Sequence, residues 1–392
     1  MRILILGGDG YLGWPTAMYL ATKGHKVGVV DNLAKRKWEA EVGSSPLWPI
    51  SSLQERIKIW NEINEVEFQC NYQHTMEMFV CDIAENRHLL YKIIEGFKPD
   101  TIVHYAEQPS APYSQMDAQA CVYTQRNNVL GTLNVLMAVL HADKSIHIVK
   151  LGTMGEYGTP NIDIEEGWLD VTHKGRTDKV LYPKKPGSWY HLSKVHDSHN
   201  LEFACRTWGI RVTDLNQGVV YGTDTNETLL NDRLATSFHY DAIFGTVLNR
   251  FITQAVEGVP LTVYGTGTQT RGLINIRDTI RCIELACETP ADAGTFRVMN
   301  QFTEQFSIMQ LAKRVQAVAI KAGVICVMNT IPNPRVEKEN HYYNAKHTAL
   351  TNLGLIPHLL TDDVLLDIYR QVEKHKSNIN KDMIQPTVKW RQ

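Results

Sequence analysis

The chain has 392 residues, of which 43% are hydrophobic and 21% are charged, and its formal net charge is -2. This composition is ordinary for a folded globular protein and excludes collagen-like, coiled-coil and disordered chains. So small a net charge provides no bulk attraction to nucleic acid or to anionic membranes, and we expect neither as a partner. The length is typical of two domains, or of one large domain with a smaller lobe.

Targeting and redox features indicate a cytoplasmic protein. No window of the sequence has the roughly 18 consecutive apolar residues of a membrane-spanning helix. The chain opens with Met1 and a short apolar strand that leads into a glycine loop, so cleavage of a signal peptide there would destroy the strand. The seven cysteines are widely spaced and form no CxxC pair, so we expect neither a disulfide framework nor a metal site.

Short apolar runs alternate with helical patterns over the first 150 residues. Each apolar run can be buried on both faces, which is typical of a parallel sheet with helices on both sides. A polar, tryptophan-containing stretch at about 35–72 interrupts this rhythm and is predicted to be an insertion, with a helix near 53–64. In chain order, strands are predicted at 3–6, 26–30, Glu77–Val80, Thr101–His104 and 146–151, with a helix at 16–23.

The second half of the chain has shorter and less regular elements. Strands are predicted at Leu261–Tyr264 and 296–299, and a helix at 308–322. We therefore predict an α/β fold in which residues 1–215 form a Rossmann-type, doubly wound parallel sheet. Residues 216–392 are expected to form mainly a smaller α+β substrate lobe, partly interleaved with the first part.

A glycine loop with the sequence GGDGYLG occupies residues 7–13, between the first strand and the first helix. Glycines at positions 7, 10 and 13 permit a tight turn, a close approach of the backbone to a pyrophosphate, and close packing of the helix on the strand. The free N–H groups at the helix N-terminus then face the phosphates. This arrangement predicts a dinucleotide site.

Asp31 ends the second strand, where its carboxylate can accept both hydroxyls of an adenosine ribose and would repel a 2′-phosphate. NAD is therefore favoured over NADP, while Lys35 and Arg36 keep the alternative open, since they can meet a phosphate. Asp82 with Ile83 suits an adenine pocket, although a helix N-cap explains Asp82 almost as well. The predicted NAD-binding residues are Gly7, Gly10, Tyr11, Leu12, Gly13, Asp31, Asn32, Arg36, Asp82, Ile83, His104, Asn128, Tyr190, Lys194, Gln217 and Val220.

Tyr190 and Lys194 are four residues apart, which places them on one face of a helix. A cation beside a phenol lowers the pKa of the phenol, so Tyr190 can act as a base and later as an acid. Thr153, at the end of a strand, can hold the substrate hydroxyl or relay a proton, and Asn128 fits a supporting role in that relay. With the glycine loop, these residues indicate an enzyme that oxidises a hydroxyl.

The motifs resemble those of the extended short-chain dehydrogenase/reductases, which act on nucleotide sugars. The resemblance covers almost the whole chain and is closer still to the branch that makes UDP-6-sulfo-6-deoxyglucose from UDP-glucose and sulfite. Plant members of that branch read Glu-Gln-Arg where this chain has Glu107-Gln108-Pro109, which removes a guanidinium near the expected site. The stretches that carry the closer resemblance are 151–164, 190–200, 214–222, 300–306 and 341–348.

The resemblance implies that tightly bound NAD oxidises C4 of the sugar, water is lost across C5 and C6, sulfite adds to C6, and C4 is reduced again. The elimination needs an acid and a base beyond Tyr190. Related 4,6-dehydratases place Asp-Glu directly after the threonine, where this chain has Met154 and Gly155. Glu156, displaced by one residue, and His191, next to Tyr190, are the candidates, and the choice stays open. The predicted catalytic residues are Thr153, Tyr190, Lys194, His191 and Glu156.

The same resemblance assigns the nucleotide half of the substrate to the second lobe. It implies that Arg271 and Arg335 clamp the diphosphate, because arginine forks match phosphate oxygens. It also implies that Glu337 meets the uridine ribose and that residues 262–264 flank the uracil. The predicted substrate-binding residues are Gln108, Thr153, Tyr190, Gln217, Thr262, Val263, Tyr264, Arg271, Arg335 and Glu337.

Two rival functions share much of this pattern. A UDP-glucose 4-epimerase or a 4,6-dehydratase would have the same glycine loop and the same threonine, tyrosine and lysine. A sensor that binds NAD or a nucleotide sugar without catalysis would have the same fold, but such proteins commonly lose the tyrosine or the lysine. The resemblance also implies a homodimer, or a higher homo-oligomer, formed through the helices around Tyr190. It leaves open whether sulfite arrives free or from a partner protein.

Overall fold

The computed structural model describes residues 1–67, 75–335, 338, 340–385, 388 and 390. Its strands are β1 (Arg2–Leu6), β2 (Lys26–Asp31), β3 (Glu77–Val80), β4 (Thr101–His104), β5 (His147–Thr153), β6 (Trp168–His173), β7 (Arg176–Leu181), β8 (Arg211–Gln217), β9 (Val219–Tyr221), β10 (Leu261–Tyr264), β11 (Thr270–Asn275), β12 (Phe296–Gln301), β13 (Glu304–Ser307) and β14 (Met328–Ile331). Its α-helices are α1 (Gly13–Thr22), α2 (Ala34–Glu41), α3 (Leu53–Glu67), α4 (Arg87–Phe97), α5 (Ala118–Gln125), α6 (Gly131–Ala142), α7 (Trp189–Trp208), α8 (Val247–Glu257), α9 (Ile276–Glu288), α10 (Ile308–Lys321), α11 (Ala349–Asn352) and α12 (Asp362–Lys374). None of the helices described is both long and apolar enough to cross a lipid bilayer.

Seven parallel strands form the central sheet, in the order β12-β8-β5-β4-β1-β2-β3. In β1, Ile3 and Ile5 pack into a core with α1 and α9, while Leu4 and Leu6 pack into a second core with α4, α6 and α7. The Rossmann-type fold expected from the apolar strands is confirmed. The prediction that Glu77–Val80 is buried on both faces is wrong, because β3 is an edge strand of this sheet and Val80 is 58% exposed.

The strand order changes direction beside β1. From β1 the chain moves outward to β2 and β3, then crosses back so that β4 pairs with the other edge of β1. In open parallel sheets, such a reversal leaves a crevice at the carboxyl ends of the strands, and ligands bind there. The topology therefore places the glycine loop and the ends of β4 and β5 around one crevice.

The second lobe packs three helices against short strands. A three-stranded sheet, β13-β11-β9, and a pair, β10-β14, lie with α8, α10 and α12 around a separate apolar core. Leu248, Phe251, Ile252 and Ala255 of α8 are buried at helical spacing. Because β12 returns to pair with β8, we propose that a cofactor-binding part (1–215) and a sugar-binding lobe (216–392) are interleaved at this strand.

The predicted insertion contains α2 and α3 and is attached to the segment that precedes α8. The backbone N–H of Leu47 donates to the carbonyl oxygen of Phe238 at 2.9 Å. The indole Nε1 of Trp48 donates to the carbonyl oxygen of Thr236 at 2.9 Å, and the indole ring stacks on Phe238. The insertion therefore connects the two parts of the molecule.

Arg56 of α3 is buried against the glycine loop. Its guanidinium forms an ion pair with the carboxylate of Asp9 and lies 4.7 Å from the ring of Trp14. The Asp9 carboxylate also accepts from Arg36 Nε at 2.8 Å. Two arginines of the insertion thus hold the one acidic residue of the glycine loop.

An exposed antiparallel hairpin, β6-β7, projects between β5 and α7 in the chain. Its two turn residues, Lys174 and Gly175, both have positive φ angles, of 50° and 74°. This geometry matches the two-residue turns that fit the twist of a hairpin. The sequence analysis did not predict the hairpin.

We expect Arg56→Met to lower the free energy of unfolding by about 3 kcal/mol, because it removes one partner of a buried ion pair. The measurement is urea denaturation followed by circular dichroism. The matched control is Lys58→Met on the same helix, where the exposed lysine pairs with Glu62 at 3.7 Å. We expect the control to change stability by less than about 1 kcal/mol. Equal losses in both variants would contradict a structural role for the Arg56–Asp9 pair.

Candidate active site

A cavity of about 400 Å³ opens at the carboxyl ends of β1, β2, β5 and β8. Its wall combines the glycine loop, the residue that ends β2, and the ends of β5 and β8. Residues from α7 and from the segment before α8 complete it. The predicted site residues on this wall are Gly7, Gly10, Tyr11, Leu12, Gly13, Asp31, Asn32, Ile83, Thr153, Tyr190, Gln217 and Val220.

Two glycines of the loop are required by close backbone contacts. Gly7 has a φ angle of 88°, and a Cβ atom there would lie 2.7 Å from the backbone nitrogen of Ala106. A Cβ atom at Gly13 would lie 2.1 Å from the carbonyl oxygen of Gly7. The first contact brings the loop against the segment after β4, and the second lets α1 begin directly above the loop.

The carboxylate of Asp31 is held at the end of β2 by backbone donors. Its oxygens accept from the N–H groups of Asp9 at 2.8 Å and Leu33 at 2.7 Å. Burial, with a smaller contribution from the charge of Asp9, raises the pKa of Asp31 to about 6 against these hydrogen bonds. The group is therefore largely ionised at neutral pH and faces the cavity.

Arg36 does not reach the cavity wall described here. The Nε and Nη2 groups of its guanidinium donate to the Asp9 carboxylate, at 2.8 and 3.0 Å, so Arg36 contacts the glycine loop. A contact of Arg36 with the cofactor stays a prediction. Asp82 is likewise occupied: it accepts from Asn32 at 2.8 Å and caps the turn that follows β3. Of the predicted adenine pocket, Ile83 is the residue that lines the cavity.

The outer wall of the cavity joins α2 to the segment before α8, and the sequence analysis missed most of it. Lys35 donates to Glu39 at 2.8 Å, and its ammonium lies 3.5 Å from the ring centre of Phe244. His239 contacts the same carboxylate at 2.9 Å. The tryptophans and charged residues of the insertion were the available signal that it packs against another part of the chain. The sequence did not show that its partners lie about two hundred positions later.

Tyr190 and Thr153 face the cavity from neighbouring elements, and Lys194 lies behind them. The N–H of Tyr190 donates to Ser114 Oγ at 3.1 Å in the first turn of α7. Lys194 Nζ lies 5.8 Å from the centre of the Tyr190 ring and donates to the carbonyl oxygen of Leu151 at 2.5 Å. Burial, followed by the charge of Glu107, raises the pKa of Tyr190 above its ordinary value, so the lowering expected from a neighbouring cation is outweighed.

Three buried ionisable residues that the sequence analysis did not single out surround Lys194. Glu107 forms an ion pair with Lys194 at 2.7 Å and another with Lys150. Lys150 in turn lies 3.1 Å from the carboxylate of Asp197. The available signal was Lys150 itself, a charged residue in the otherwise apolar strand β5, since a buried lysine needs a partner.

Glu156 is fully buried and does not line the cavity. A short 3-10 turn, Met154–Glu156, bends the chain back so that Glu156 accepts from the N–H of Thr153 at 3.2 Å. The same carboxylate pairs with Lys184. The geometry gives Glu156 a role in holding Thr153, and does not bring it to the cavity as the predicted acid or base.

His191 lies beside Tyr190, with ring centres 5.1 Å apart, but outside the cavity wall. Its Nδ1 is 3.0 Å from Ser188 Oγ, the N-cap of α7. The other side of the ring packs on Gly155, where a Cβ atom would lie 2.3 Å from His191 Nε2. A glycine at position 155 therefore makes room for the imidazole.

Asn128 lies in a π-helical turn, Arg126–Leu130, between α5 and α6. Its side chain accepts from the N–H of Gln108 at 2.8 Å and donates to Ser193 at 2.9 Å. It thus ties the loop after β4 to α7, and π-helical turns are frequent at functional sites. Gln108 is itself fully buried and folds onto Ser110.

His104 is buried at the end of β4 and contacts Thr132 at 3.1 Å. Burial, with the nearby charge of Lys150, lowers the pKa of His104 to about 3, so the imidazole is neutral. Neither His104 nor Asn128 lines the cavity, but each contacts a residue that does: His104 lies 4.0 Å from Glu107, and Asn128 accepts from Asn127 at 3.0 Å.

Among the described residues, the predicted nucleotide-binding residues of the second lobe do not line this cavity. Thr262 accepts from Gln254 at 2.8 Å inside the lobe, and Tyr264 accepts from Arg250 at 2.7 Å. Arg335 lies 5.3 Å from the ring of Trp390. Val263 is buried in β10, Arg271 lies in β11, and Glu337 lies outside the described residues.

Residues 3–300 match the NAD dependent epimerase/dehydratase family. The UDP-sulfoquinovose synthase of Spinacia oleracea, a chloroplastic protein, is 52% identical over all of this chain and 79% of its own length. The UDP-sulfoquinovose synthase of Sulfolobus acidocaldarius is 43% identical over all of this chain and 98% of its own length.

Solved structures share the fold at lower identity. UDP-glucose 4-epimerase from Bifidobacterium longum, in complex with NAD+ and UDP, has a TM-score of 0.70 and 17% identity, over 97% of this chain and 100% of its own. UDP-glucuronic acid 4-epimerase from Bacillus cereus, in complex with UDP-glucuronic acid and NAD, has a TM-score of 0.67 and 20% identity, over 95% and 99%. Together with the two full-length relatives, the cavity and the fold lead to one conclusion. The chain belongs to the NAD dependent epimerase/dehydratase family and, within it, to the UDP-sulfoquinovose synthases.

Proposed function

We propose that this chain makes UDP-sulfoquinovose from UDP-glucose and sulfite, with bound NAD. The observation that carries the proposal is that Tyr190 and Thr153 share one cavity wall with the glycine loop and Asp31. The relatives at 52% and 43% identity bear the name of this activity. A hydroxyl-oxidising pair at a dinucleotide cavity is the arrangement that the first step needs.

The residues present fit NAD. Gly7 and Gly13 allow the tight backbone packing that brings the loop to the cavity wall, and Asp31 presents a carboxylate to the same wall. Arg36, which could have met a 2′-phosphate, is committed to Asp9. When bound, NAD supplies the oxidation of the sugar C4 hydroxyl and its later reversal.

The residues of the chain would handle the protons. Tyr190 would take the C4 hydroxyl proton, with Thr153 holding the hydroxyl and the Lys194 ammonium behind the phenol. The C4 ketone acidifies the C5 proton; the C6 hydroxyl then leaves with a proton as water. The sulfur of sulfite bonds to C6, a proton returns to C5, and Tyr190 returns its proton to the C4 oxygen. His191, beside Tyr190, is our candidate for proton transfer at C5 or C6.

The second lobe would hold the nucleotide. We propose that Arg271 and Arg335 contact the diphosphate, with Thr262, Val263 and Tyr264 near the uracil. Glu337 is proposed for the uridine ribose, and Gln217 and Val220 for the nicotinamide side of the cavity.

We also propose a cytoplasmic location. The six cysteines that the structure describes are all free, and five of them are buried, which suits a reducing compartment.

Purified protein with UDP-glucose and free sulfite should yield UDP-sulfoquinovose, detected by mass spectrometry. We expect Tyr190→Phe to lower the rate at least about 100-fold, because the phenol transfers the proton. Tyr342→Phe, at an exposed tyrosine, is the matched control and should retain activity. UDP-galactose as the product would contradict the proposal in favour of an epimerase. Reduction of bound NAD by UDP-glucose without sulfonated product would indicate that sulfite comes from a partner protein.

Asp31→Asn should weaken NAD binding at least about tenfold, because ribose hydroxyls lose an ionised acceptor. Since the pKa of Asp31 is raised to about 6, NAD affinity should also fall as the pH drops below 6 and the carboxylate gains a proton. Calorimetry on cofactor-free protein at about pH 5 and pH 8 measures both effects. Asp178→Asn, on the exposed hairpin, is the control. Unchanged affinity in Asp31→Asn would refute the role of this carboxylate.

We propose a homodimer formed through α5, α6 and α7. Large apolar side chains are exposed on these helices and the turn between them: Val122 by 63%, Leu130 by 43%, Trp189 by 45% and Phe203 by 47%. A surface of this kind on neighbouring helices suits a second copy of the chain.

Phe203→Glu should therefore convert the dimer to a monomer in analytical ultracentrifugation, because it places a charge in an apolar interface. Leu229→Glu introduces the same charge at a residue that is 61% exposed elsewhere, and should leave the dimer intact. A wild-type monomer, or dissociation in both variants, would overturn the proposed interface.

A further inference from the structure

A line of four buried ionisable side chains runs from the catalytic pair into the protein. In order, Lys194 contacts Glu107, Glu107 contacts Lys150, and Lys150 contacts Asp197. Their side chains are between 1% and 4% exposed. Glu107 therefore stands between two lysines, only one of which belongs to the catalytic pair.

The four groups come from three elements that meet behind the cavity. Glu107 follows β4, Lys150 lies on β5, and Lys194 and Asp197 lie on α7. Glu107 also lines the cavity, next to Pro109, so it is close to the reacting groups as well as to Lys194. A charge in such a dry site acts on its neighbours far more strongly than a charge at the surface.

The pKa values of the two carboxyl groups move in opposite directions. Burial opposes the ionisation of Glu107, yet Lys150 and Lys194 outweigh it and lower the pKa of Glu107 to about 2. Burial raises the pKa of Asp197 well above its ordinary value. Glu107 is the carboxylate that contacts both ammonium groups. Burial and the repulsion of Lys150 lower the pKa of Lys194, while Glu107 opposes that effect.

We propose that Glu107 and Lys150 are positioning residues that set the pH range in which Tyr190 and Lys194 can take the proton from the sugar hydroxyl. The inference rests on the proposed function and adds to it two residues that act through Lys194. Glu107 holds the Lys194 ammonium behind the phenol. The positive charge of Lys150 partly offsets the negative charge of Glu107 that acts on Tyr190 and Lys194.

Other titratable groups face this line, and the test leaves them unchanged. His104 lies 4.0 Å from Glu107 and is neutral. Asp214 on β8 acts on Lys150, and Glu156 acts on Tyr190. The remaining charged group nearby is Lys184, which pairs with Glu156.

The proposal predicts opposite effects for two charge removals. Without the negative charge of Glu107, both Tyr190 and Lys194 release protons more readily, so the pH dependence of the first step moves to lower pH. Without the positive charge of Lys150, both groups hold protons more tightly, and the dependence moves to higher pH. Removing both charges should largely cancel the two shifts.

The experiment compares Glu107→Gln, Lys150→Met and the double variant as NAD-bound protein. The first readout is the pH profile of NAD reduction by UDP-glucose, at 340 nm and without sulfite. The second is the titration of the Tyr190 resonance in protein labelled with carbon-13 at the tyrosine ζ position, assigned with Tyr190→Phe. We expect shifts of about one pH unit or more, downward for Glu107→Gln and upward for Lys150→Met. The double variant should return towards wild type.

Glu95→Gln on α4 is the matched control, because it makes the same charge change at an exposed glutamate outside the buried line. It should shift neither readout appreciably. Slower turnover with an unshifted profile, shifts of the same sign in both single variants, or an equal shift in Glu95→Gln would overturn the proposal. If Glu107→Gln does not fold, the sign of the shift in Lys150→Met still decides. The resonance needs neither sulfite nor product, so this test can succeed or fail independently of the proposed synthesis.

Discussion

Two lysines held out of water behind Tyr190 constrain how this chain can pack. Lys150 lies in the central strand β5 and Lys194 in α7, and neither side chain is more than 4% exposed. A buried ammonium group is stable only with a carboxylate in close contact. Glu107 provides that contact from the segment after β4, so β4, β5 and α7 must meet at one place. The position of Tyr190, one helical turn before Lys194, follows from the same contacts.

The central sheet could be predicted because its strands are continuous apolar runs, which only a sheet covered on both faces can bury. The glycine loop could be predicted because close backbone contacts require glycine at its three glycine positions. The structure shows such contacts at Gly7 and Gly13. The hairpin β6-β7 has no such pattern. Its strands are exposed except for half-buried residues at the end away from the turn, and its Lys-Gly turn is a weaker signal than Asn-Gly.

The sequence predicted which residues belong to the site more reliably than it predicted the direction of their side chains. Tyr190 and Thr153 face the cavity as expected, because the ends of parallel strands share one edge of the sheet. Glu156 turns inward because the chain enters a 3-10 turn directly after β5. Arg36 is drawn away by Asp9, a contact that depends on where the insertion packs. Such pairings arise from tertiary structure, which spacing along the chain does not encode.

The π-helical turn at Arg126–Leu130 has a consequence for how this region tolerates changes in length. Such a turn holds one residue more than an α-helical turn, so α5 and α6 form one rod with a single extra residue inside it. Deleting that residue would restore regular α-helix without breaking the rod. It would also rotate one half against the other by about 100°. Asn128 would then lose its hydrogen bonds with both Gln108 and Ser193. The more regular helix would therefore no longer tie the loop after β4 to α7.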